Sequence, residues 1–193
     1  GFSVPSVIPI MGHLGADTGI VHLDQLRVPD RQRLGPLHNG LSVAMDGVNA
    51  GRLSMAGSCV GIARWALNQA LAYVKIRKTF GRLIAEHQAV QIMLAECAMD
   101  IYAVKSMLRH CAWLVDEGRD ATKEVSMAKA CATEMVSRVV DKAIQVHGAI
   151  GLTNELRLEE AYRWARVLRI PDGTAEIQRR TIARRLLSGD TEI

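Results

Sequence analysis

The sequence predicts a mainly α-helical protein in which an antiparallel bundle of long helices follows a short β segment. Apolar residues recur at steps of three and four along most of residues 38–193, as they do on the buried face of a helix. An alternation with period two, which is typical of strands, occurs before residue 38. Aromatic residues make up 4% of the chain, so aliphatic side chains, which pack well between helices, supply most of its apolar content.

Residues 1–37 are predicted to hold two strands. An apolar run between Val4 and Ile10 is followed by three glycines, and the residues from His22 to Val28 then alternate and stop at Pro29. Two strands do not form a stable sheet alone. We therefore expect partner strands upstream of residue 1. We interpret the segment as the C-terminal remnant of a β-domain and the chain, which lacks an initiator Met, as a fragment.

Residues 38–193 are predicted to form the helical-bundle domain. Its first apolar stripe begins with Leu41 and Met45, its second runs from Val90 to Val115, and its third runs from Val125 to Ala143. Helices of about 30 residues are about 45 Å long and can pair antiparallel through short loops. The predicted helices run from about 38 to the loop at Gly81, then over about 83–116, 120–148, 155–166 and 174–187.

Four glycines lie within the first predicted helix, as two pairs spaced four residues apart. Gly47 and Gly51 form the first pair, and Gly57 and Gly61 form the second. Each glycine costs a helix up to about 1 kcal/mol relative to alanine. We therefore expect another backbone or a ligand to approach this helix closely.

The cysteine, histidine and apolar patterns of the sequence argue against a metalloprotein and against a membrane-spanning protein. The four cysteines contain no CxxC pair and the six histidines show no metal-ligand spacing, so no metal site is predicted. Cysteines that are widely spaced within helical apolar patterns are expected to be buried, reduced thiols of an intracellular protein, in the cytoplasm or the mitochondrial matrix. No apolar run reaches the roughly 18 residues that cross a membrane.

Arginines are concentrated near the C-terminus. Eight arginines and no lysine lie between Glu155 and Leu187, interleaved with five acidic residues and without aromatic side chains at loop positions. This pattern argues against nucleic-acid binding. It favours a salt-bridged surface or a subunit interface, and we expect these arginines to lack partners within a monomer.

The sequence PDGTAEIQR, residues 171–179, is the most informative segment for function. It places Asp172 directly before Gly173 and Thr174, at the start of a predicted helix. A short loop in this position aims a carboxylate and backbone N–H groups at a ligand from a helix N-terminus. The alternative is that Asp172 is an ordinary helix N-cap.

Two further segments lie upstream. RKTFG, residues 77–81, is followed by Gln88, and QVHGAIG occupies residues 145–151. Together with the Asp172 segment they resemble, in order and spacing, the C-terminal half of the acyl-CoA dehydrogenase family, flavoenzymes that desaturate acyl-CoA thioesters. The resemblance covers essentially the whole chain: residues 1–37 are similar to the end of the family's middle β-domain and residues 38–193 to its C-terminal helical domain.

The resemblance implies that Asp172 is the catalytic base. The family usually has Glu-Gly-Thr here, and that carboxylate removes the α-proton of the thioester while the β-hydrogen leaves as hydride to the flavin. Some relatives carry the base before an arginine on the first long helix, but this chain has Gly51 before Arg52, and glycine has no basic group. Arg52 resembles the family arginine that orients the catalytic loop; the alternative is an ordinary surface arginine.

The resemblance also implies an FAD site shared with a neighbouring subunit. Arg77 would pair with a cofactor phosphate, Thr79 would hydrogen-bond it, and Phe80 would pack beside the cofactor. The other expected contacts are Gln88, Gln145, Gly148 and Thr174, with Ala149 in place of the family's second glycine. Without the resemblance, the first segment is a hinge between helices and Gly148 is a helix stop.

The sequence leaves three functions open. The first is an FAD-dependent acyl-CoA dehydrogenase, seen as its C-terminal half. It would have an acyl-CoA substrate, a neighbouring subunit completing the FAD site, an electron-transfer acceptor protein, and a homodimeric or homotetrameric assembly. Aspartate at the base position favours a second function, a flavin oxidase of the same fold that resembles nitroalkane oxidases. The third is a non-catalytic helical assembly module, because the resemblance leaves out most of the flavin-ring pocket.

Overall fold

The computed structural model describes residues 1–12, 15 and 17–193, and it confirms the predicted fold class. His13, Leu14 and Ala16, which belong to the turn predicted between the first two strands, lie outside the described residues. Within the described part of the chain, no helix is long and apolar enough to cross a membrane. The elements are β1 (Phe2–Ile8), β2 (Thr18–Leu23), α1 (Gly40–Val74), β3 (Lys78–Thr79), β4 (Arg82–Leu83), α2 (Gln88–Asp116), α3 (Thr122–His147), α4 (Leu158–Val167) and α5 (Ala175–Leu187).

The long helices α1, α2 and α3 form an up–down–up bundle in which α3 contacts each of the other helices. Salt bridges join Arg138 to Asp100 and Lys142 to Glu96, and their numbers run in opposite directions along α3 and α2, as antiparallel packing requires. The core lies along α3, where the predicted apolar stripe is confirmed. Its buried residues include Val125, Ala128, Ala132, Met135, Val139 and Ala143.

The β segment is an antiparallel pair whose second strand differs from the prediction. β1 pairs with β2 from Phe2 opposite Leu23 to Ile8 opposite Thr18. The prediction of a strand over residues 22–28 is wrong beyond Leu23. The N–H of Asp24 still donates to the carbonyl of Gly1 at 2.8 Å, but no strand of the described residues pairs with residues 25–28.

Three predicted core positions of the bundle are wrong. Leu41 and Met45 are exposed, because no side chain of α1 before Arg52 is buried and the first turns of this helix extend beyond the packed part. In α2 the buried stripe ends on Leu114, and Val115 is exposed. A stripe at steps of three and four drifts slowly around a helix with 3.6 residues per turn, so its last member is the least certain.

The second long helix begins at Gln88 rather than near residue 83. Strands β3 and β4 pair as a hairpin in which Lys78 lies opposite Leu83. A single 3-10 turn, Ile84–Glu86, follows, and His87 then has an extended backbone with φ −84° and ψ 120°. The backbone of residue 83 belongs to the hairpin, so the helix cannot include it.

Among the described residues, the glycines of α1 have one close neighbour, which is a side chain and not the predicted backbone or ligand. A Cβ on Gly51 would lie 3.0 Å from Oδ2 of Asp172. At Gly57 the nearest atom would be a methyl group of Leu108 at 3.9 Å, and around Gly47 and Gly61 the described residues place nothing within 4 Å. The close neighbour at Gly51 is thus the carboxylate that the sequence pattern indicates as functional.

The cysteines are buried with one exception. Cys59, Cys97 and Cys111 are buried, and burial raises the pKa of Cys59 to about 12 and that of Cys111 to about 11. The prediction is wrong for Cys131, which is exposed because it lies on the outer side of α3. Among the described residues, no three His, Cys, Asp or Glu side chains are grouped so that they could hold a metal ion.

Candidate active site

The loop between α4 and α5 holds Asp172 in an unusual backbone conformation. Asp172 has φ 55° and Gly173 has φ 93°, so two successive residues lie in the left-handed region, which costs an ordinary side chain about 1–2 kcal/mol. Thr174 then begins α5 as its N-cap, and its hydroxyl oxygen accepts the N–H of Ile177 at 3.4 Å. The interpretation of Asp172 as the N-cap is therefore wrong, because Thr174 fills that position and leaves the Asp172 side chain free.

Three buried donors hold the two carbonyl groups of this loop. Nε of Arg52 donates to the carbonyl of Asp172 at 2.7 Å, and Nζ of Lys129 donates to that of Gly173 at 2.8 Å. Nε2 of Gln178 donates to both carbonyls at 3.0 Å. Arg52 is 5% exposed, and Lys129 and Gln178 are fully buried. The left-handed backbone is thus fixed from α1, α3 and α5 at once.

The carboxylate of Asp172 is half-buried and accepts no hydrogen bond from the described residues. Its neighbour on α1 is Gly51, whose missing side chain leaves room for Oδ2. Two buried cations flank it. Burial lowers the pKa of both Arg52 and Lys129, and the negative charge of Asp172 opposes that effect at each of them. A carboxylate that is oriented through its backbone, with both oxygens free, can accept a proton from a ligand.

Arg52 lies next to the loop of Asp172, as the resemblance implies. The alternative of an ordinary surface arginine is wrong, because Arg52 is buried. Its second contact is with Asn49, whose Oδ1 accepts the Nη1 group at 3.0 Å. Asn49 also lines a cavity of about 760 Å³ between α1, α2 and the start of α3. Leu53, Leu108 and Arg119 are among the other residues that line it.

Sequence reasoning missed Lys129 and Gln178. Lys129 lies 43 residues before Asp172 and only the folded chain brings the two together. One signal was available: Lys129 lies between Val125 and Ala132, both members of the buried stripe of α3, where a lysine needs a polar partner. Gln178 has no comparable signal, since a glutamine in the first turns of a helix is common.

The RKTFG segment forms the hairpin of β3 and β4 at the far end of α1. Phe80 at its turn has φ 53° and is 97% exposed, which is unusual for an aromatic side chain. Oγ1 of Thr79 lies 3.2 Å from Nε2 of His87. Arg77 and Gln88 are exposed, and Arg77 forms no ion pair within the described residues. The segment and Gln88 therefore place a cation, a hydroxyl, an amide and an aromatic ring at this end of the bundle.

Gln145 and Gly148 lie at the same end of the bundle. Gly148 ends α3 with φ 63° and ψ −140°, a conformation that favours glycine, and a Cβ there would meet nothing within 4 Å. Gln145, one turn earlier, is exposed. The rings of Tyr73, in the last turn of α1, and His147 stack with centroids 4.5 Å apart, so the ends of α1 and α3 are adjacent. The hairpin follows directly on that end of α1.

The predicted site residues form two separate groups, one in the loop of Asp172 and one at the hairpin and the end of α3. Thr174 lies in the loop of Asp172, but Arg77 and Gln145 lie at the opposite end of the bundle. From Arg52 to Val74 the helix α1 extends for 22 residues, or about 33 Å at 1.5 Å per residue. One chain therefore does not gather Asp172 and the hairpin around a single small site.

Five of the eight C-terminal arginines form ion pairs within the described residues, so the prediction that they lack partners is wrong for Arg157, Arg163, Arg169, Arg179 and Arg185. The described residues give no ion pair to Arg166, Arg180 or Arg184. Arg179 pairs with Glu134 of α3 at 2.7 Å, and Arg185 pairs with Asp120. On α4, Arg163 pairs with Glu159 four residues earlier. Helices α4 and α5 pack against α3, which brings acidic residues from distant parts of the sequence to these arginines.

Comparison with known proteins defines the class. A protein-family model described as "Acyl-CoA dehydrogenase, C-terminal domain" matches residues 38–187. The match spans the bundle and the loop of Asp172. The chain belongs to the acyl-CoA dehydrogenase family.

Individual relatives are dehydrogenases and reductases by name. The chain is 41% identical over 187 residues to a probable acyl-CoA dehydrogenase, YngJ, of Bacillus subtilis, which covers 97% of this chain and 49% of the relative. It is 39% identical over 177 residues to the caffeyl-CoA reductase-Etf complex subunit CarC of Acetobacterium woodii, covering 92% and 47%. The structure of butyryl-CoA dehydrogenase from Megasphaera elsdenii superposes with a TM-score of 0.93 at 29% identity, covering 97% and 49%. The chain thus spans about half the length of the curated relatives it matches.

Proposed function

We propose that this chain is the C-terminal half of an FAD-dependent acyl-CoA dehydrogenase in which Asp172 is the catalytic base. The observation that carries the proposal is the state of the Asp172 side chain. Its backbone carbonyl is held by two buried donors, while its carboxylate accepts no hydrogen bond from the described residues. A general base needs this combination of fixed direction and a free oxygen.

The proposed reaction forms a double bond between the α- and β-carbons of an acyl-CoA thioester. Asp172 takes the α-proton, and the electron pair of that C–H bond becomes the second bond between the two carbons as the β-hydrogen departs with its own pair. The chemistry that FAD supplies when bound is acceptance of that hydride. Arg52 keeps the loop in place from α1 through its hydrogen bond to the carbonyl of Asp172.

The residues present fit FAD at two places. Thr174 lies beside Asp172 at the N-terminus of α5, where we propose that it approaches the flavin. The second place is about 33 Å further along the bundle. It holds the exposed Arg77, Phe80 and Gln88 and the partly buried Thr79, together with Gln145 and Gly148. We propose that this second group holds the phosphate and adenosine part of FAD bound mainly by a neighbouring subunit, in a homodimer or homotetramer.

The proposed electron acceptor is a protein of the Etf type. The support is the relative CarC, whose name places it in a caffeyl-CoA reductase-Etf complex. The names of the relatives include both a dehydrogenase and a reductase, so we propose that the direction of the reaction depends on the partner that exchanges electrons with the flavin.

Anaerobic mixing tests the proposal and its rivals. The full-length protein, purified with FAD, is mixed with short, branched and aryl acyl-CoA thioesters and, separately, with nitroethane. Loss of oxidised-flavin absorbance with an acyl-CoA is the expected result. Reduction by nitroethane and by none of the acyl-CoA thioesters would contradict the proposed dehydrogenase function. It would support the oxidase function that aspartate at position 172 favours. A protein that stays colourless after addition of FAD would be a non-catalytic helical module.

A further inference from the structure

Lys129, one of two buried lysines on α3, has no part in the proposed proton transfer. Lys129 is closed to solvent, with 0% of its surface accessible. Among the described residues it forms no ion pair with a carboxylate, and its ammonium group donates to the carbonyl of Gly173 at 2.8 Å. A buried cation is costly unless its surroundings compensate for the lost water. Its position therefore needs an explanation.

A second buried lysine of the same helix shows the usual solution. Lys123 is 1% exposed, but its Nζ pairs with a carboxylate oxygen of Asp190 at 2.5 Å and with Glu124 at 3.3 Å. Lys129 has only a backbone carbonyl and the field of nearby charges. We infer that Lys129 is a positioning residue, whose ammonium group fixes the carbonyl of Gly173 and thereby the direction in which Asp172 presents its carboxylate. This inference rests on the proposed function of Asp172.

The charges around Lys129 agree with this role. Burial lowers the pKa of Lys129, and the carboxylate of Asp172 is the largest influence that raises it. The other groups that face it are Arg52 and Cys59 on α1 and Glu176 on α5. Asp172 is thus the principal countercharge of Lys129, and the two stabilise each other while Asp172 is ionised.

Gln178 holds the loop with its amide NH₂ group while its own amide oxygen has no hydrogen-bond partner among the described residues. Its Nε2 group donates to the carbonyls of both Asp172 and Gly173, and its Oε1 is buried without a hydrogen-bond partner among the described residues. The reverse orientation of the amide would place Oε1 against two carbonyl oxygens. An unpaired buried acceptor is destabilising, so the loop is fixed at the expense of local stability.

The test uses the full-length, FAD-loaded protein with Lys129→Met, and Lys123→Met as the matched control on the same helix. Two quantities are measured: hydrogen exchange at the amides of residues 172–174, and the rate of flavin reduction by saturating acyl-CoA per bound FAD. In Lys129→Met we expect exchange in the loop to be about 10-fold faster or more and reduction about 10-fold slower or more, since small displacements of a catalytic group have effects of this size. In Lys123→Met both quantities stay at the wild-type values.

The split between substrate binding and flavin reduction separates this role from a purely structural one. In Lys129→Met we expect a lower limiting reduction rate but an unchanged acyl-CoA concentration at half that rate, because Lys129 contacts the loop of Asp172. Lys123→Met should change neither quantity. Unchanged loop exchange, or an unchanged reduction rate per bound FAD, would overturn the inference. If Lys129→Met does not fold, Lys129→Gln, which is neutral and keeps an N–H group, is judged by the same measurements. If none of the acyl-CoA thioesters reduces the flavin of the wild-type protein, the proposed function fails. Loop exchange alone then decides the role of Lys129.

Discussion

Oδ2 of Asp172 occupies the space that a side chain on Gly51 would fill. A Cβ on Gly51 would lie 3.0 Å from this oxygen, closer than most Cβ contacts in proteins. The two residues are 121 positions apart in sequence and meet where α1 passes the loop before α5. Some members of the family carry the base at the position of Gly51. Here that residue has no side chain, and the carboxylate of Asp172 lies against its backbone.

We expect Gly51→Ala to slow flavin reduction by about 10-fold or more, because the new methyl group displaces the carboxylate from its place. The measurement is the single-turnover reduction rate with acyl-CoA in the FAD-loaded protein. Gly47→Ala is the matched control, since the described residues place nothing within 4 Å of a Cβ there. It should leave the rate unchanged and stabilise α1 by up to about 1 kcal/mol. Equal rates in the two variants would refute the contact.

Arg52→Lys should lower the reduction rate, but less than loss of the Asp172 carboxylate does. Lysine keeps the charge but cannot donate to the carbonyl of Asp172 and to Asn49 in the same geometry. Arg64→Lys, an exposed change further along α1, serves as the control. The account of Arg52 is wrong if both variants reduce flavin at the wild-type rate.

The sequence predicted the elements that repeat and missed the contacts that depend on folding. The stripes of α1 to α3 and the place of Asp172 in a loop just before a helix follow from local patterns, because a helix face and a loop–helix junction are each encoded within a few residues. The roles of Lys129 and Gln178 do not, because each is defined by a carbonyl group that the folded chain brings to it. The salt bridge of Arg185 with Asp120 was missed for the same reason.

Subunit mixing tests the shared FAD site. We expect Arg77→Ala to lower FAD occupancy, because an exposed cation at the hairpin is lost, with little change in the rate per bound FAD. Arg109→Ala, exposed on α2, is the control. When Asp172→Asn chains are refolded or exchanged with Arg77→Ala chains, mixed assemblies contain sites with both residues intact, so activity at limiting FAD should recover above the average of the two variants measured separately. Absence of recovery, or a stable monomer in sedimentation at micromolar concentration, would place the residues in separate functions.

Asp120 gives α3 a contribution to stability that depends on pH. Hydrogen bonds from the Thr122 hydroxyl at 2.7 Å and backbone N–H at 3.1 Å, together with Arg185, hold the pKa of Asp120 below its usual value. A lowered carboxyl pKa stabilises the folded state above the unfolded pKa, and the effect is lost as the pH falls through the folded pKa.

We therefore expect Asp120→Asn to lower Tm at pH 7 by about 1–2 °C, a small effect because this side chain is largely exposed. The difference from wild type should shrink as the pH falls below about 4. Asp141→Asn, exposed on the same helix, is the control and should show no such dependence. A Tm difference that stays constant from about pH 7 to about pH 3 would contradict the assignment to the charge.

The most direct test of the central claim is flavin reduction in Asp172→Asn. Asparagine keeps the shape of the side chain and removes the basic oxygen, so FAD should stay bound while reduction by acyl-CoA slows by about 100-fold or more. Asp172→Glu, which restores the family's usual residue, should keep measurable activity. If Asp172→Asn reduces its flavin at the wild-type rate, Asp172 is not the base and the proposed mechanism is wrong.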